Sequence, residues 1–117
     1  MMLLFMKEAT IAVLPATYQS ERDATKDYAF LSLNSNIGNT LGYLGWTTSV
    51  SVGNTMALTG CAGEHAYELW EGIGQIKSTS GSFLRYTADS SGGMSGGAIY
   101  LTIQMKAAGF NHGGYPG

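Results

Sequence analysis

The residues of this 117-residue sequence best suited to chemistry are a serine set among glycines, Gly93-Met94-Ser95-Gly96-Gly97. A nucleophilic hydroxyl has to stand exposed on a tight turn, and glycines let the backbone bend sharply and let a substrate approach it. On such a turn the amides of Gly93 and Ser95 can face one point, where they would stabilise an oxyanion as it develops. An ordinary flexible turn has the same composition, so the motif alone leaves both readings open.

A serine hydroxyl is a weak nucleophile until a neighbouring base takes its proton. The two histidines are His65, in the loop Gly63-Glu64-His65, and His112, beside Asn111. His65 reads as a solvated loop residue. Asp27 opens an apolar stretch, and an acid there either orients a base or merely starts a strand. The single cysteine, Cys61, excludes an internal disulfide and reads as a small buried apolar side chain. A partner for it outside this sequence stays open. No set of His, Cys and acidic residues has ligand spacing, so neither a metal nor another cofactor is expected.

The elements that must hold these residues read as β. There are 17 glycines and 2 prolines, and charged residues make up 12% of the chain, against roughly 25% in ordinary domains. Long amphipathic helices need more charge than that. Short strand signals recur at 10–14, 27–33, 55–59, 83–88, 98–104 and 107–110. A hairpin of 67–71 with 73–77 is expected around Gly72. The polar stretch 19–26 reads as a loop, and the Asn- and Gly-rich 34–46 as an irregular crossing segment. This spacing suits a barrel or sandwich.

The net charge is -2 and the six Lys and Arg residues are scattered, so no nucleic-acid partner is expected. The apolar run 1–6, closed by Lys7 and Glu8, is too short to span a membrane and lacks the features of a secretory signal. No membrane partner is expected.

With its flanks, the serine segment Tyr86-Thr87-Ala88-Asp89-Ser90-Ser91-Gly92-Gly93-Met94-Ser95-Gly96 resembles the nucleophile loop of trypsin-fold serine proteases, in particular their glutamyl-endopeptidase-like branch. Four other stretches match in order. Asp27-Tyr28-Ala29-Phe30 resembles the strand that begins with the triad aspartate. Ile37-Gly38-Asn39-Thr40-Leu41 resembles the crossing to the second barrel. Leu69-Trp70-Glu71-Gly72-Ile73-Gly74-Gln75-Ile76 resembles a hairpin of the branch, and Gly109-Phe110-Asn111-His112-Gly113-Gly114 a late strand. The resemblance implies an incomplete double Greek-key β-barrel. Residues 1–46 would be a remnant of the first barrel plus the crossing, and 47–117 the second barrel, cut off at the C-terminus.

The function so implied is serine endopeptidase chemistry on a polypeptide substrate, with a secreted location typical of the family. Ser95 would be the nucleophile, Asp27 the orienting acid, and Gly93 and Ser95 the oxyanion hole. Asp89, Ser90, Asn111 and His112 would line the primary specificity site. Asn111 stands where the branch has a histidine. The triad histidine should precede Asp27, and no histidine does. The missing N-terminal half of such a protease is then a partner to expect, and the chain alone is expected to be inactive. A catalytically dead peptide-binding homologue and a glycine-rich structural β-module are the alternatives.

Overall fold

A computed structural model of the chain describes residues 9–13, 24–65 and 68–112. The chain divides into two compact units, Met1–Tyr43 and Leu44–Gly117.

In the first unit, β1 (Ala9–Val13) pairs antiparallel with β2 (Phe30–Leu33). A short 3-10 turn, Ala24–Lys26, leads towards β2. The sequence predicts a buried strand from Asp27, but β2 starts at Phe30 and all four of its residues are exposed. Among the described residues β2 pairs with β1 alone, and its apolar composition does not produce burial. The crossing segment is more regular than expected. Its one-turn helix α1 (Gly38–Leu41) is followed by Gly42 at φ 85°, whose N–H donates to the Gly38 carbonyl at 2.8 Å. With ψ at 173°, Gly42 adopts an extended positive-φ backbone that glycine takes without a Cβ penalty.

The second unit is a six-stranded sheet in the order β3-β8-β7-β4-β5-β6. Its strands are β3 (Gly45–Trp46), β4 (Thr55–Cys61), β5 (Leu69–Ser80), β6 (Phe83–Tyr86), β7 (Ala98–Leu101) and β8 (Lys106–Phe110). All neighbours are antiparallel except β3 and β8. The period-2 alternation of strands sets which residues face inwards. Met56 and Leu58 of β4, Ile76 of β5, and Ile99 and Leu101 of β7 form the core with Ala62, Ala88 and Met94. Cys61, the last residue of β4, is exposed rather than the buried thiol the sequence suggested.

The sheet curls on itself. Although β6 and β8 are separated by three strands in the pairing order, a Cβ at Gly109 of β8 would stand 3.8 Å from Leu84 Cδ1 of β6. The hydroxyl of Tyr86, at the end of β6, donates to Asn111 Oδ1 just past β8. This is the curvature of a barrel wall.

The hairpin expected around Gly72 is absent. β5 runs unbroken through Gly72 and pairs with β4 from Gln75 to Leu69. Its glycines serve close approach instead of a turn: a Cβ on Gly74 would lie 2.5 Å from Ala88 N, and one on Gly72 3.2 Å from Asp89 O. The loop that carries Asp89 is thereby laid flat against β5. The strand expected over 98–104 stops at Leu101, where a turn containing Met105 at φ 53° leads into β8. Residues 14–23 and 113–117, together with the side chain of His65, lie outside the described residues.

Candidate active site

The loop 87–97 joins β6 to β7 and ends on the serine turn. Its shape follows from three local causes. The Met94 side chain is buried in the core, and Gly60 of β4 leaves room for it, since a Cβ there would stand 3.2 Å from the Met94 Cβ. Gly93 and Gly96 adopt φ 97° and 81°, a region that L side chains rarely enter. Backbone hydrogen bonds fix the curve: Met94 N–H donates to the Ser91 carbonyl at 3.1 Å, Gly97 N–H to the Met94 carbonyl at 3.0 Å, and Gly63 N–H to the Gly92 carbonyl at 2.8 Å.

Ser95 therefore projects from a tight turn between an anchored Met94 and a left-handed Gly96, and it is exposed. Among the described residues, neither the Gly93 nor the Ser95 N–H donates to a backbone carbonyl. An oxyanion hole needs two such free donors, aimed at one point beside the hydroxyl.

The second wall of the turn is the end of β8. Asn111 N–H donates to the Gly97 carbonyl at 2.8 Å, and the Asn111 carbonyl accepts from Gly96 N–H at 2.6 Å. Asn111 is 4% exposed. Its Nδ2 donates to the Met94 carbonyl at 3.2 Å, and its Oδ1 accepts from the Tyr86 hydroxyl. Burial raises the Tyr86 pKa above its ordinary value. Tyr86 opens the segment matched to the nucleophile loop, but its partnership with Asn111 is not legible in the sequence, because it depends on a contact between β6 and β8. His112 is exposed and engaged with a neighbour.

Asp89 and Ser90 are exposed and, with Ser91, Met94, Ala62, Glu64, Trp70, Glu71 and Gly72, line an open cavity of about 320 Å³. Ser91 Oγ is buried there and has no hydrogen-bond partner. Glu71 accepts from the Tyr100 hydroxyl at 2.7 Å and from Thr59 Oγ1 at 3.1 Å. The bond to Glu71 is the leading cause of a raised Tyr100 pKa, because the hydrogen bond is lost when the phenol ionises. Among the described residues no group of three or more His, Cys, Asp or Glu side chains is placed to hold a metal ion.

Asp27 belongs to the first unit. It opens the three-residue link 27–29 between the 3-10 turn and β2, is half-buried, and is engaged with a neighbour. The sequence-expected site residues that the fold brings together are those of the second unit: Gly93, Ser95 and Asn111 around the turn, and Asp89 with Ser90 along the cavity.

The chain shares sequence and fold with known proteins. No protein-family model matches it. It is similar to a glutamyl endopeptidase of Bacillus licheniformis, 33% identical over 96 residues, which are 80% of this chain and 30% of that protein. It is also similar to an extracellular metalloprotease of Bacillus subtilis, 31% identical over 87 residues, 71% of this chain and 28% of the relative. The chain thus spans under a third of the length of the curated relatives it matches. A solved Glu endopeptidase structure superposes with a TM-score of 0.81 at 26% identity, covering 93% of this chain and 53% of the other.

Proposed function

From the premise that this chain is a glutamyl-endopeptidase-like member of the serine proteases of trypsin-like fold, we propose that it supplies the nucleophile half of a serine endopeptidase. The observation that carries this reading is the exposed Ser95 on a turn whose Gly93 and Ser95 amides are left unengaged. In the reaction, Ser95 Oγ attacks the scissile carbonyl and its proton passes to a histidine. The carbonyl oxygen becomes an oxyanion held by the two amides. The C–N bond then breaks, the histidine returns the proton to the leaving amine, and an acyl ester remains on Ser95. Water activated by the same histidine hydrolyses that ester and regenerates the hydroxyl.

Asp27 is the residue proposed to orient the histidine. His65 and His112 both follow Asp27 in sequence, whereas the family order places the histidine first. The base is therefore proposed to come from polypeptide other than these 117 residues, and the chain alone to be inactive. The substrate is a polypeptide, and an extracellular setting is proposed by analogy with the relative that bears that description. Asp89, Ser90 and His112 are proposed to form the primary specificity site; Asn111, expected there from the sequence, is 4% exposed and is not among the residues lining the cavity. The match of Tyr86-Thr87-Ala88 and Gly92-Gly93 to the glutamyl branch supports the specificity, set against the three carboxylates Glu64, Glu71 and Asp89 that line the cavity. Cleavage after acidic or small polar residues is the preference proposed.

The test joins the chain to a first-barrel segment bearing a histidine ahead of Asp27 and measures hydrolysis of a peptide panel. Activity abolished by Ser95→Ala supports the reading. Peptide binding without hydrolysis points to the catalytically dead homologue. A preference for Lys or Arg substrates that Asp89→Ser destroys would overturn the proposed specificity.

A further inference from the structure

Asn111 makes four hydrogen bonds, and three of them land on the residues that flank Ser95. Its carbonyl accepts from Gly96 N–H at 2.6 Å, its N–H donates to the Gly97 carbonyl at 2.8 Å, and its Nδ2 donates to the Met94 carbonyl at 3.2 Å. The fourth, from the Tyr86 hydroxyl to Oδ1, orients the amide. A side-chain amide has an acceptor on one arm and donors on the other. With the phenol donating to the oxygen arm, the nitrogen arm faces the Met94 carbonyl. An Asp here would present only acceptors to that carbonyl, and a Leu would leave both the carbonyl and the phenol without this partner, at the cost of desolvated polar groups.

The turn needs such a constraint. Ser95 is exposed and lies between Met94 and Gly96, and both Gly96 and Gly93, one residue before Met94, are conformationally permissive. Met94 is pinned on one side by its buried side chain. The other side, Gly96 and Gly97, is held at Asn111.

We propose that Asn111 and Tyr86 form a clasp that positions the Ser95 turn, so that Asn111 acts through the backbone of residues 94–97 rather than by gripping a substrate side chain. The proposal deepens the reading of Ser95 as a nucleophile and rests on it. All four polar groups of Asn111, its N–H, C=O, Oδ1 and Nδ2, are engaged within the protein, and the residue is 4% exposed. It has no charge to offer an acidic substrate group. Tyr86 and Asn111 are then positioning residues, and Tyr86 joins the site although no substrate would touch it.

The test is amide hydrogen exchange by NMR on the full chain and on Tyr86→Phe and Asn111→Ala. Tyr86→Phe removes a single hydroxyl, so it carries the test if Asn111→Ala fails to fold. Loss of one net hydrogen bond is expected to speed exchange at Gly96 and Asn111 by up to about tenfold. The Leu58 amide, in the central strand, should not change. Unchanged exchange at Gly96, or equal acceleration at Gly96 and Leu58, overturns the clasp. In the histidine-supplied protein the same Tyr86→Phe should lower kcat with KM unaltered, and a KM effect alone would return Asn111 to direct substrate contact. If that protein hydrolyses nothing, the nucleophile reading fails while the exchange data still decide the clasp.

Discussion

Gly93 and Gly97 show how little freedom the serine turn has at the level of single residues. At Gly93 the backbone is left-handed, and a Cβ would lie 2.7 Å from the Cys61 carbonyl oxygen and 2.9 Å from Gly63 N. At Gly97 it would press into the Thr59 carbonyl oxygen. Both obstacles are backbone of a paired or hydrogen-bonded segment and cannot swing aside. Gly93→Ala is expected to cost about 3 kcal/mol, the scale of a strained backbone plus a buried clash. Gly92→Ala meets nothing within 4 Å and should stay within about 0.5 kcal/mol of the parent in denaturant unfolding. Tyr86 supplies a second expectation. Its folded pKa is raised above the ordinary 10.0 by burial. The folded state therefore holds the phenol proton more tightly than the unfolded state. The resulting stability is fully present below pH 10.0 and is lost as pH rises through the folded value. Unfolding midpoints measured upward from there should fall, and Tyr86→Phe should flatten the fall. The parent minus Phe difference isolates Tyr86 from Tyr100, whose pKa is also raised.

At the scale of elements, β4 carries the second unit because it is paired on both edges, with β5 and with β7. Leu58 is fully buried on its inward face. Leu58→Ala is expected to cost about 3 kcal/mol through lost burial and the cavity left behind, read as a lower denaturant midpoint. On the outward face, Glu71 gathers Tyr100 and Thr59 across two strand pairings. Glu71→Gln should bring the Tyr100 pKa back towards its ordinary value, measurable by ultraviolet titration, since the carboxylate is the main source of the shift. These strands were legible as apolar runs of the right length, and β4, β6, β7 and β8 fall where such runs occur. β5 was not. Gly72 between two apolar stretches looks like a turn, yet its role is to let Asp89 approach, and a sequence does not display what lies across a strand. The same limit hid the partnership of Tyr86 with Asn111, 25 residues away.

For the whole molecule, exposed apolar side chains decide behaviour in solution. Phe30 and Leu31 of β2 are 69% and 61% exposed, and Trp46 of β3 is 81% exposed. Strand edges with such side chains invite pairing with other chains. The isolated chain is expected to self-associate at micromolar concentration, and sedimentation that shows a strict monomer would contradict this. Ser95→Ala should leave that behaviour and the unfolding midpoint unchanged, because an exposed turn hydroxyl contributes little to stability.

The sequence by itself determined the all-β class, the serine turn and the family likeness. Glycine placement, strand-length apolar runs and ordered motifs are local signals that survive without coordinates. Burial was decided by tertiary structure. The apolar run of β2 and Cys61 at the end of β4 are both exposed, against what their apolar character suggested. The surroundings of Ser95 were decided the same way. The curl that brings β6 to β8 creates the Tyr86–Asn111 bond, and with it the constraint on the turn. Hydrogen bonds between residues distant in sequence depend on where the sheet closes, and closure is a property of all six strands together.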